Sequence, residues 1–175
     1  MSGPQVLLAV LTVVCSGVVA AMVAHRLSVS RDDRAIRRQK LEQLFMAFSG
    51  FCKLLVSEHA HYAKVMMGEI SYNQALDITI NRHRSDEENR HYETIRMLVS
   101  LHFEHLKEYA GQVHDVRDRI STILGAFKDQ YKAGNFDGKE YVGPFLDALR
   151  TVDEVEKRFT QAAREEARRL MGSRS

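Results

Sequence analysis

The stretch Tyr92–Phe127, YETIRMLVSLHFEHLKEYAGQVHDVRDRISTILGAF, carries the longest regular hydrophobic pattern in the chain. Its stripe residues recur three and four positions apart without a slip, which is the spacing of an amphipathic helix with a coiled-coil-like seam. The pattern predicts one continuous helix over about 86–132, with Ser85 and Glu88 as a capping box at its start. The predicted seam consists of Tyr92, Ile95, Val99, His102, Leu106, Tyr109, Val113, Val116, Ile120, Ile123 and Phe127.

Three further helices are predicted around this stripe. Apolar residues at the same spacing indicate helices at about 41–67 and 139–171, and a short helix at 72–82 that Ser71 caps. Only 2 prolines and 10 glycines occur among 175 residues, 45% of which are hydrophobic, and this excludes both a turn-dense β fold and wholesale disorder. We therefore expect an all-α fold in which long antiparallel helices form a bundle with coiled-coil-like packing.

An uncharged apolar run, VLLAVLTVVCSGVVAAMVA, occupies Val6–Ala24. A helix of this length would measure roughly 28 Å, close to the hydrocarbon thickness of about 30 Å. We expect a single N-terminal transmembrane helix at 6–24, because a cleaved signal peptide would need basic residues before the run and MSGPQ has none. Small residues recur every fourth position, which is typical of close helix–helix packing. The predicted packing residues are Thr12, Ser16, Gly17, Ala20, Ala21 and Ala24.

Basic residues follow this apolar run directly, whereas none precedes it. By the positive-inside rule, the asymmetry predicts an extracytoplasmic tail at 1–5, a basic juxtamembrane segment at 25–40, a helical cytoplasmic domain at 41–171 and a tail at 172–175. The expected location is the inner (plasma) membrane, with a single pass and the N-terminus outside. The residues expected to set the topology and contact lipid headgroups are Arg26, Arg31, Arg34, Arg37, Arg38 and Lys40.

Two Glu-x-x-His pairs raise a metal hypothesis: Glu58 with His61, and Glu88 with His91. Carboxylate-bridged di-iron bundles place such pairs on two helices, but they also need an inward glutamate from each of two further helices. The sequence offers no glutamate at a suitable position, and Glu88 already has a capping role. We therefore predict no metal, no cofactor and no catalytic residue. A metal-dependent, di-iron-like bundle enzyme that uses these four residues is the alternative.

His102 is the histidine of the predicted seam, and two roles are open to it. It could form a polar layer that fixes the register of the bundle helices. It could also act as a switch, because histidine titrates near neutral pH. Cys52, on an apolar stripe, is expected in the core rather than in a catalytic role.

The function expected from these features is not enzymatic. Motifs for a nucleophile, a phosphate-binding loop or a zinc site do not occur, and a net charge of +2 without a basic face excludes nucleic acid as a partner. We predict a membrane-anchored helical interaction or scaffold protein that contacts membrane lipid and self-associates or docks a cytoplasmic partner. Dimerisation is expected through the small-residue face of 6–24 and the seam of 92–127. An oligomerising membrane effector is a further alternative.

Overall fold

The computed structural model describes residues 3–82 and 85–172. Within these ranges, every regular element is helical, so the prediction of an all-α helical bundle is confirmed. The elements are α1 (Gly3–Met66), α2 (Tyr72–Arg82), α3 (Ser85–Leu101), a 3₁₀ turn (Glu104–Leu106), α4 (Lys107–Lys132) and α5 (Lys139–Gly172). The chain divides into two compact units, Met1–Gln39 and Lys40–Ser175.

The predicted membrane location is contradicted by the structure. In the part of the chain that the structure describes, no helix has an apolar stretch long enough to cross a membrane. A spanning helix needs about 20 predominantly apolar residues, and charged side chains are costly inside hydrocarbon. Within the first unit, the described side chains between Met22 and Gln39 are exposed except that of Arg34, which is half-buried. The prediction of a single-pass inner-membrane protein with its N-terminus outside is therefore wrong.

The residues predicted to pack this segment against a second helix lie mostly outside the described side chains. Only Ala24 among them is described, and it is exposed. The other five predicted packing residues lie outside the part of the structure in which side chains are described: Thr12, Ser16, Gly17, Ala20 and Ala21.

The second unit is a bundle around one apolar core, in which α5 runs antiparallel to α1 and α4. The ring of Phe48 in α1 stacks on Phe159 in α5, with centroids 3.9 Å apart. Tyr109 of α4 meets the same Phe159 ring edge-on at 6.0 Å. The largest fully buried side chains include those of Phe48, Phe51, Phe103, Phe127, Phe145, Phe159, Leu44 and Leu55.

The predicted continuous helix over 86–132 is wrong, because α3 ends at Leu101 and α4 begins at Lys107. Between them, Phe103 leaves the helical conformation with φ −138° and ψ 53°, and its side chain is 1% exposed. His102, which the predicted seam places in the core, is exposed. A continuous helix would bury the imidazole and leave the phenyl ring in water. The break therefore exchanges a polar group for an apolar one in the core.

Short-range signals determine where the helices begin and end. Ser71 and Gln74 form a capping box at the start of α2: Ser71 Oγ accepts from the Gln74 N–H at 3.2 Å, and Gln74 Oε1 accepts from the Ser71 N–H at 2.8 Å. Gly68 follows α1 with φ +75° and Gly134 follows α4 with φ +87°. Glycine is favoured at both positions because left-handed backbone is strained for other residues.

Candidate interaction surface

An apolar groove of about 440 Å³ opens between α1 and α5 within the second unit. We refer to it as the α1–α5 groove. Five of its lining residues are apolar, and the other two, one on each helix, are charged and exposed. The lining consists of Leu41, Glu42, Phe45 and Met46 of α1 and of Ala163, Arg164 and Ala167 of α5.

The groove exists because the facing side chains of α5 are short. Ala163 and Ala167 lie four residues apart and share one face of α5, opposite the half-buried Phe45. One turn deeper in the bundle, the residue on the same face of α5 is Phe159, and its ring closes the space by stacking on Phe48. Two methyl groups at the place of a ring leave a void that none of the described side chains fills.

Met46 makes the edge of the groove apolar as well. Its side chain is 68% exposed, although the residues around it on α1 belong to the core face. An unbranched thioether adapts its shape to irregular partner surfaces, and exposed methionines are over-used at binding sites for that reason.

The predicted seam of 92–127 is packed inside the bundle. Tyr92, Tyr109 and Ile123 are half-buried, and His102 is exposed. Apart from His102, the seam side chains pack against helices of their own chain, so a second copy would have to displace those helices to contact the seam. The seam residues that are buried are Ile95, Val99, Leu106, Val113, Val116, Ile120 and Phe127.

The two Glu-x-x-His pairs do not converge on one point. His61 Nε2 lies 2.9 Å from Thr79 Oγ1 in α2. Glu88 Oε1 lies 3.3 Å from Arg117 Nε in α4. Among the side chains that the structure describes, no three of His, Cys, Asp or Glu lie together as ligands of a metal ion. The arrangement therefore does not favour the alternative site of Glu58, His61, Glu88 and His91.

His59 lies beside the ion pair of Glu88 and Arg117. It is not among the site residues predicted from the sequence. Its Nδ1 donates to the Leu55 carbonyl oxygen at 2.8 Å. Burial lowers the pKa of His59 below its ordinary value of 6.5, and Arg117 acts in the same direction, whereas the Leu55 carbonyl and Glu88 oppose the shift. His59 is thus neutral at pH 7. Nothing in the sequence around His59 indicates its lowered pKa, because its burial and the nearby charges of Glu88 and Arg117 depend on other helices.

Cys52 lies in the core beside a hydrogen-bonded acidic group. Burial raises the pKa of its thiol, and the negative charges of Glu156 and Asp153 raise it further. Ser49 Oγ donates to Glu156 Oε1 at 2.5 Å. Since only the thiolate is strongly nucleophilic, this surrounding favours an inert thiol.

The residues predicted to contact lipid headgroups lie along α1. Arg26, Arg31, Arg37 and Arg38 are exposed and Arg34 is half-buried. Lys40 Nζ donates to Gln43 Oε1 at 3.3 Å. With the membrane location overturned, these positions carry no assigned role.

Comparison with protein-family models, with curated proteins and with solved structures found no match for this chain.

Proposed function

We propose that this protein is a non-enzymatic helical interaction protein that binds another protein chain through the α1–α5 groove. The observation that carries the proposal is the apolar groove itself, with the exposed Met46 at its edge. An unfilled apolar groove costs stability, because its lining loses both burial and dispersion contacts. A binding partner that fills it recovers both.

Other features of the described residues support a binding role over catalysis. The two groups with shifted pKa values on the core face of α1, Cys52 and His59, are a protonated thiol and a neutral imidazole. Neither lines the groove, whose lining holds only Glu42 and Arg164 as charged residues. A reaction there would need a nucleophile or an acid–base pair placed around a substrate. The di-iron-like enzyme is not proposed either, because no three metal-ligating side chains lie together among the described residues.

In-cell photo-crosslinking of the full chain tests this proposal. A photoreactive amino acid at position 46 reports on the groove, and the same residue at position 97 is the control, because Met97 is also an exposed methionine but lies on α3. We expect a crosslinked protein adduct from position 46 and none from position 97. The captured chain, identified by mass spectrometry and purified, must then bind wild-type protein and lose binding to Met46→Glu. Equal adducts from both positions, or none from position 46, would contradict the proposal.

A further inference from the structure

We infer that the α1–α5 groove binds the α1–α5 groove of a second copy of this chain, in a two-fold symmetric dimer. The inference rests on the proposed function and names its partner.

The charges of the groove are complementary to themselves. Glu42 lies on the α1 side and Arg164 on the α5 side, and both are exposed. In a two-fold contact, a residue of one copy meets its counterpart in the other copy and the reverse contact also forms. A two-fold axis through the groove can therefore bring the partner's Arg164 to Glu42 and the partner's Glu42 to Arg164. A groove with charges of one sign would repel its own copy and would favour a partner of opposite charge.

Arg164 is available for such a contact. Among the described residues, no salt bridge involves its guanidinium, although Glu165 and Glu166 follow it directly in α5. Those acids are engaged elsewhere: Glu166 with Arg169 at 3.5 Å and Glu165 with Gln161 at 2.9 Å. Glu42 has an exposed carboxylate with two oxygens, so it can accept a further donor from the second copy.

The shape of the groove also fits a second copy. Ala167, which is half-buried, lets another helix approach this end of α5 closely, because only its methyl group separates the backbones. Met46 stands at the edge of the groove and can enter the space in front of the partner's alanines. In the two-fold arrangement each copy supplies one such side chain and one space, so both grooves are filled at once.

Charge reversal tests this pairing in the purified full chain. Sedimentation velocity over a wide concentration range should show a dimer of wild-type protein. Arg164→Glu and Glu42→Arg should each weaken dimerisation about tenfold or more, because each places like charges opposite one another twice per dimer. Arg158→Glu, at another exposed arginine of α5, is the matched control and should leave the dimer intact.

Mixing the two single variants decides the symmetry. Arg164→Glu leaves two acids in the groove and Glu42→Arg leaves two bases, so an equal mixture should form a heterodimer with both contacts restored. The double variant Glu42→Arg/Arg164→Glu should also dimerise. Circular dichroism should show that each variant is folded, because both substituted positions are exposed.

Three results would overturn the inference. These are a wild-type chain that stays monomeric at every concentration, a dimer that neither reversal weakens, and a series of ever larger polymers. The last would indicate a head-to-tail contact, for which Met97 and Leu101 offer an exposed apolar pair on α3. If position 46 still crosslinks a different protein, the proposed function stands while the second copy fails as its partner. If no adduct forms either, both fail.

Discussion

The two ends of the bundle differ in how completely side chains fill the space between the helices. We use closed end for the cluster of Met66, Tyr72, Phe127, Tyr131, Gly138 and Tyr141, and open end for the α1–α5 groove. At the closed end, aromatic rings fill the space between the helices. At the open end, Ala163 and Ala167 leave it empty. The size of the facing side chains thus determines whether the helices enclose a packed core or border a groove.

Contacts at the closed end are both apolar and polar. The ring of Phe127 lies 5.9 Å from Tyr131 and 5.7 Å from Tyr141, centroid to centroid. Tyr141 Oη donates to Gln130 Oε1 at 3.0 Å, and Gln130 Nε2 donates to the Asp137 carbonyl oxygen at 2.6 Å. These bonds join the end of α4 to the start of α5. We therefore expect the closed end to contribute most to stability, and the open end is the proposed binding site.

Phe127→Ala should have the largest effect on stability. The side chain is fully buried, and its removal leaves a cavity among tyrosine rings. Deletions of this kind lower the free energy of unfolding by about 3–5 kcal/mol. Urea denaturation followed by circular dichroism measures the loss. A loss no larger than the one caused by Phe45→Ala at the open end would contradict the expectation that the closed end contributes more to stability.

Gly138→Ala should come next. A Cβ at this position would lie 2.6 Å from Met66 Cα and 2.7 Å from Phe127 Cε2, so backbone must move to accommodate it. Overpacking costs about 1–3 kcal/mol. Gly111→Ala is the matched control, because it adds the same methyl group where nothing lies within 4 Å. It should instead raise the free energy of unfolding by up to about 1 kcal/mol, the helix preference of alanine. Equal shifts in both variants would argue against tight packing at the closed end.

Phe45→Ala should lower the free energy of unfolding only slightly but should weaken dimer formation strongly. The ring is only half-buried and borders the open groove, so its removal should lower the free energy of unfolding by about 1 kcal/mol. Dimer formation, measured by sedimentation, should fall more than it does in Arg158→Glu. A dimer of unchanged strength would show that the groove is not the contact.

The smallest effect should be the pH dependence that His59 contributes. Since burial lowers its folded-state pKa below 6.5, the folded state binds fewer protons than the unfolded state as pH falls. Its stabilising contribution is fully present above pH 6.5 and is lost as pH falls from there through the folded-state pKa. His59→Asn can keep a donor near the Leu55 carbonyl but does not titrate. The difference between wild-type and variant melting temperatures should therefore shrink below pH 6.5, and a constant difference would contradict this assignment.

Much of the helical content could be predicted from the sequence because it depends on neighbours along the chain. The three-and-four spacing, the Ser71–Gln74 capping box and the glycines after α1 and α4 all act within a few residues. The membrane location was also predicted from one local run, and no helix of the described residues supports it.

The helices and their apolar faces follow from the amino-acid sequence alone, since periodicity and capping are local properties. Tertiary packing selects Phe103 rather than His102 for the core, because that choice depends on which position the neighbouring helices leave for a ring. It likewise decided that Phe159 closes the space between α1 and α5 while Ala163 and Ala167 leave it open. A stripe of apolar residues shows which face is buried. The side chains of the neighbouring helix in the same chain determine whether the space beside that face is filled.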